Sequence, residues 1–279
     1  MERYFILVTL GTLVLMAAEI LAGRHKSVYK KGDFLLLAGC LVGRGLVAPA
    51  ATILVMGFWA LLLPQYKGAL HNAPFWLAFP LLLMLSEFCF YWVHRWSHTN
   101  AAARLPVLWK IHRTHHSGRH MNTSLLFRLN PFWYFIIPAA WVGGLAIQLG
   151  LGTSAAAVSL VLMGWNAITH SNFRWDDAIR QHRLFGPLFN AAEHIIVSPG
   201  IHHTHHGYGR DGASYRNFAI VLSFYDWVFG TLHIPSGRPF RYGLPGEDAH
   251  WVEQLLYPLV RAKPSRAQTS ARKDVGATP

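Results

Sequence analysis

The stretch Ala73–His98 reads APFWLAFPLLLMLSEFCFYWVHRWSH, an apolar run through Val93 closed by two histidines four residues apart. The run Ala73–Val93 has the length needed to cross a bilayer as a helix, about 20 predominantly apolar residues. At about 100° per residue, positions i and i+4 share one helical face, so His94 and His98 project together from the end of that span. The stretch therefore predicts a membrane helix that ends in a pair of imidazoles.

The same apolar character recurs on both sides, at Phe5–Ala22, Phe34–Pro64, Phe132–Gly152 and Thr153–Thr169. Composition agrees: of 279 residues, 52% are hydrophobic and 14% charged, with a mean hydropathy of +0.25, values foreign to an ordinary water-soluble domain. The expected fold class is all-α, an integral membrane helical bundle of about four to five transmembrane helices with a cytosolic helical cap carrying the histidines. Phe34–Pro64 contains Arg44 and Pro49 and fits either one tilted span or a broken pair of half-helices. The start Met1-Glu2-Arg3 is followed by no small-residue cleavage signature, so the first span is expected to be a retained anchor. The expected organisation is an anchor region over 1–72, a histidine-bearing domain over 73–240 and a basic, partly disordered tail over 241–279, with no internal repeat.

Lys and Arg (25) outnumber Asp and Glu (13), giving a net charge of +12 that must sit outside the apolar runs. Beside so much apolar sequence, anionic lipid is the expected partner of that charge and nucleic acid is not. The loop after the first span holds Arg24, Lys26, Lys30 and Lys31, whereas the next short loop offers only Lys67 and the turn Leu149–Ser154 has no charge. Positive loops face the cytosol, which puts the amino terminus outside and the histidine clusters inside. The predicted location is a bacterial inner membrane, or the endoplasmic reticulum in a eukaryote. Cys40 and Cys89 both fall in apolar runs, without the spacing of a disulfide framework or a sulfur-ligated metal site.

Of 17 histidines, most occupy short windows: His94 and His98; His112, His115 and His116; and His202, His203, His205 and His206. Asn166 and His170, again four apart, close the last apolar run. Omitting His203, which lies off the face shared by His202, His205 and His206, leaves nine candidate ligands. A single ion takes at most about six donors, so two ions are expected. Imidazole suits iron, zinc, copper or nickel alike. His120, His182, His233 and His250 are read as ordinary solvated or hydrogen-bonded side chains, and His194 as either a helix cap or a neighbour of the site. Glu87, within a span and on the stripe of Tyr91, His94 and His98, is expected either to orient a ligand imidazole or to pair with Arg44.

The order H-x3-H, H-x2-H-H, H-x2-H-H resembles the fatty acid hydroxylase/sterol desaturase superfamily of membrane di-iron enzymes. The likeness extends to Tyr91–Arg95, Leu108–Ser117, Asn122, Arg128, Pro131, Thr169–Asn172, Ser198-Pro199 and Asp226–Thr231, covering about Leu85–Pro235. Where some members carry a further H-x3-H pair, this chain has Asn166 before His170, a candidate to hold a metal-bound water. The resemblance implies two iron ions, with zinc as a substitute, and an O2-dependent hydroxylase attacking a C–H bond of a fatty acyl, sterol or isoprenoid lipid. A desaturase of the same superfamily is the alternative. No Gly-rich nucleotide fingerprint and no cysteine cluster is present, so electrons must come from an external ferredoxin, reductase or cytochrome. A rival class, a histidine-rich metal transporter, should place its ligands near the bilayer midplane and not at helix ends.

Overall fold

The computed structural model describes residues 2–246 and 248–261. Three long helices come first, α1 (Glu2–Leu21), α2 (Lys31–Leu62) and α3 (Phe75–Thr99), followed by α4 (Val107–His116). A helical hairpin, α5 (Pro138–Gln148) and α6 (Gly152–His170), returns to the remaining short helices: α7 (Trp175–Arg180), α8 (Gly186–Ala192), α9 (Pro199–His206), α10 (Phe224–Val228) and α11 (Trp251–Leu256). Two two-residue strands, β1 (Gly207–Tyr208) and β2 (Arg241–Tyr242), pair antiparallel. The all-α membrane bundle expected from the sequence is the architecture found. Four stretches are long and apolar enough to cross a membrane: Glu2–Leu21, Lys31–Leu62, Phe75–Ala102 and Pro131–Gln148.

α2 is one helix of 32 residues with Pro49 inside it, which decides between the two expectations for Phe34–Pro64. At 1.5 Å per residue it is ~48 Å long, more than the hydrocarbon thickness, so its first turn rises beyond the apolar layer. There Asp33 meets the Arg128 guanidinium, beside the second histidine window. The segment Phe132–Gly152 departs from a simple span. Pro131 opens a 3-10 turn to Phe135 and Pro138 opens α5, which has 11 residues. Proline at a helix start loses no backbone bond, which suits Pro131 and Pro138 to opening these two elements.

The hairpin tip meets the loop between α2 and α3: Gly68 N–H donates to Gln148 O and Leu70 N–H to Leu149 O, each at 2.8 Å. Gly150 turns the chain at φ +92°, a left-handed conformation that favours glycine. At the opposite end, the loop after α1 folds against the chain following α4. Glu19, fully buried, accepts from Thr123 N–H at 3.0 Å, and Tyr29 OH donates to Asn122 Oδ1 at 3.1 Å. The basic loop 24–31 and the histidine windows thus lie at the same end of the bundle. Within 248–261 the chain is folded: Gln254 of α11 accepts from Thr114 and Asn130 through its carbonyl, and Glu253 pairs with Arg113. The remainder of the expected tail, 262–279, lies outside the described residues.

Candidate metal centre

The structure gathers the nine candidate histidines into two groups. His94, His98, His112, His116 and His205 form one, and His115, His170, His202 and His206 the other, with the nitrogens of each group within 4.8 Å of one another. α3 supplies the first pair, α4 splits its three between the groups, α6 supplies His170 and α9 the rest. The i, i+3, i+4 spacing within α4 turns His112 and His116 toward one group and His115 toward the other.

Ring orientation is fixed from the backbone. His94 Nδ1–H donates to Phe218 O at 2.6 Å, His205 Nδ1–H to Arg216 O at 2.7 Å, and His170 Nδ1–H to Asn166 O at 2.8 Å. A neutral imidazole with its proton on Nδ1 has a bare lone pair on Nε2. The Nε2 atoms of His94 and His205 nevertheless stand 3.0 Å apart, and neither can donate to the other. Nε2 of His170 faces His115 and His202 at 3.2 and 3.1 Å, and His112 faces His116 at 3.0 Å. Facing lone pairs at this distance repel unless a cation lies between them. The spacing fits: two nitrogens each about 2.1 Å from one ion at roughly a right angle are about 3.0 Å apart. His98 Nε2 and His206 Nε2 are buried without any protein partner, as further donors for an ion would be.

Protons are kept out. Burial, reinforced by neighbouring imidazoles, holds His112, His116, His202 and His206 well below the ordinary value and His205 down to about 3, while burial and the Arg128 guanidinium hold His115 down to about 4. The neutral form, which binds metal, therefore prevails at neutral pH.

The other predicted residues take different places. Glu87 touches no imidazole and does not pair with Arg44; its Oε2 accepts three consecutive backbone N–H groups, from Ile220, Val221 and Leu222, at 3.2, 2.8 and 2.9 Å. It anchors the segment whose Phe218 carbonyl holds His94. Asn166 lines a cavity of about 70 Å³ together with His94 and His112 of one group, His115 and His202 of the other, and apolar walls that include Phe90, Trp133 and Ile220. His203 turns away from both groups, toward Tyr242. His194 bonds to Asn190 O and packs on Trp227, His182 caps Leu184 N–H, His250 caps α11, and His120 stacks near Tyr29.

Asp226 entered the sequence reading only through the family likeness, and Asp176, Arg180 and Glu193 gave no signal there. Asp226 accepts from Phe218 and Ala219 N–H at 2.8 and 2.9 Å and from Thr231, clamping the same segment as Glu87 from the other side. Asp176 accepts from Gly200 N–H at 2.7 Å at the start of α9, and Arg180 ties Asp176 to Glu193.

The fatty acid hydroxylase family model matches residues 79–231, a range that contains all nine histidines and both clamping carboxylates. The chain belongs to this family. Within it, the chain is similar to human alkylglycerol monooxygenase, 28% identical over 57% of this chain and 31% of that protein. It is also similar to methylsterol monooxygenase 1-3 of Arabidopsis thaliana, 29% identical over 53% of this chain and 45% of the relative. Very-long-chain aldehyde decarbonylase GL1-6 of Oryza sativa subsp. indica is 25% identical over 61% of this chain and 25% of its own length. The chain thus spans less than half of each relative. No solved structure matches it.

Proposed function

We propose that this fatty acid hydroxylase family member is a membrane-bound non-haem di-iron oxygenase that hydroxylates a lipid, using O2 and electrons from an external ferredoxin, reductase or cytochrome. The observation that carries the reading is the pair of bare imidazole lone pairs at 3.0 Å, His94 against His205, beside an apolar cavity touching both histidine groups. His94, His98, His112, His116 and His205 would hold one ion, and His115, His170, His202 and His206 the other. Iron bound there would supply activation of O2 and removal of hydrogen from an unactivated C–H bond.

The chain's own part is placement. Phe90, Trp133 and Ile220 shut water from the cavity and hold hydrocarbon against the donors. A volume of about 70 Å³ beside the donors has room for a methyl group or a short length of chain. Asn166 faces the same space with an amide that can hold a water or a polar substituent in register. Two of the relatives are named as monooxygenases, which supports hydroxylation over desaturation. A transporter reading has less support, since the nine side chains collect at one end of the spans.

The test combines metal analysis of purified protein with lipid analysis of cells expressing it under isotopically labelled O2. About two irons per chain and a lipid carrying label in a new hydroxyl are expected. One metal or none in folded protein removes the di-iron reading, and an unlabelled product with a new double bond points to the desaturase.

A further inference from the structure

Outside the spans, the histidine end of the molecule carries an apolar face that no element covers among the described residues. Leu184, Phe185 and Leu188, at the start of α8, are 75%, 58% and 71% exposed. Ile195 and Ile196 follow at 53% and 41%, and Trp227 and Val228 of α10 at 54% and 55%. The Ile195–Ile196 turn and α10 share one surface, since Phe224 N–H donates to Ile195 O and His194 packs its ring on Trp227, and the turn follows directly from α8, with Ile195 and Ile196 N–H both donating to Ala192 O. The surface continues onto the outer face of α3, where the tilted ring of Phe229 packs on Trp92 at 5.1 Å between centroids and Trp96 is 54% exposed. A solvated monomer rarely exposes so much contiguous apolar surface, and a helix of seven residues is too short to span.

We propose that this face, α8 with the Ile195–Ile196 turn and α10, is seated in the lipid leaflet at the histidine end as an in-plane extension of the α3 surface. Lipid is the occupant because the patch is continuous with the face of α3, a helix long and apolar enough to cross a membrane. Its edge has the composition of a headgroup boundary, with Trp96 and Trp227 on the apolar side and exposed Arg183 and His182 beside Leu184. The consequence reaches the metal centre by a short path. Val197 N–H, directly after the patch, donates to Val221 O at 2.8 Å, in the segment that Glu87 and Asp226 clamp. The leaflet thus supports the outer side of the segment that orients His94 and His205, whichever metal is bound.

The experiment uses the full chain with Cys40→Ala and Cys89→Ser, reconstituted in vesicles of phosphatidylcholine and phosphatidylglycerol. Single cysteines at Leu184, Leu188 and Trp227 carry an environment-sensitive fluorophore, and Arg210, 82% exposed on the cap, serves as the aqueous control. The expected result is blue-shifted emission at the three patch positions and loss of most of it when the lipids carry a quencher on the upper acyl chain, with no loss at Arg210. Emission at the patch that matches Arg210 overturns the proposal. A blue shift that lipid quenchers leave untouched, with cross-links between chains, assigns the face to a second copy and overturns it equally. As a check without substitutions, the parent protein is irradiated in vesicles of a photoactivatable phosphatidylcholine. Adducts are expected in 184–196 and 224–229 as well as in α3; adducts in α3 alone reject the seating.

Discussion

His94 and His205 each donate one ring N–H to a backbone carbonyl, and that bond decides which nitrogen faces the other ring. Replacing His205 or His206 by alanine is expected to abolish turnover and reduce bound metal, read by elemental analysis of protein purified from membranes. His203→Ala should retain both, because its ring turns to Tyr242; equal metal loss there would show that α9 binds in a different register. Glu87 acts at one remove. Glu87→Ala strands three buried N–H groups, at about 1–3 kcal/mol each, and should lower the melting temperature and weaken metal retention about 10–100-fold, whereas Glu87→Gln keeps an acceptor oxygen and should be milder. Proton linkage gives a third expectation. The buried imidazoles have folded values below the ordinary 6.5, His115 about 4 among them, so the unfolded chain binds the extra protons. The metal-free protein should therefore lose stability as pH falls below about 6.5, checked by melting temperature against pH, and restored metal, which keeps protons off the folded-state imidazoles, should leave that dependence at least as steep. The histidines were legible in the sequence because imidazole spacing on a helix is a local pattern. Their supports were not: Glu87 bonds Val221 across 134 positions, and no periodicity links such residues.

At the scale of elements, α9 is the least self-sufficient piece of the site. All eight of its residues are buried, so its unpaired N-terminal N–H groups need partners from the protein. Ser198 Oγ accepts from Ile201 N–H at 3.2 Å and Asp176 from Gly200 N–H. Behind them Arg180 bonds Asp176, Asp177 and Glu193, while Arg238 completes the cluster on Asp176 and Asp177. Ser198→Ala should cost about 1 kcal/mol, the usual loss of an N-cap. Arg180→Met, which leaves three acidic side chains short of a partner, should cost about 3–5 kcal/mol and release metal as well, measured by thermal melting and by metal content of the same sample. Loss of stability with full metal retention would show that α9 is held by its packing alone. The elements themselves were partly legible. Apolar length identified α1, α2 and α3, but α5 was obscured because hydropathy is blind to the break between the 3-10 turn opened by Pro131 and the helix opened by Pro138. The packing of α2 was not legible either: Pro131 lies against Gly43, a contact between residues remote in the chain.

For the whole molecule, everything turns on which side of the membrane the metal centre faces. The bundle ties the basic loop after α1 to the histidine end through Glu19 on Thr123, Tyr29 on Asn122 and Asp33 on Arg128. The loop between α2 and α3 is tied to the opposite end through Gly68 and Leu70 on the α5–α6 tip. Charge then orients the assembly: Arg24, Lys26, Lys30 and Lys31 lie at one end, Lys67 alone in the loop at the other. The expected arrangement has the histidines in the cytosol, within reach of a soluble electron carrier. Cysteines introduced singly in a cysteine-free background can check this at Lys67 and Arg104, both exposed in loops at opposite ends. Gly118 is unsuitable, since it is buried and a Cβ there would strike Leu125. A membrane-impermeant maleimide applied to intact cells should label position 67 at once and position 104 only after permeabilisation. The reverse pattern would invert the molecule and leave a cytosolic electron donor no route to the centre. Labelling of both from outside would mean that α3, which separates them, does not cross, contrary to its 25 continuous residues.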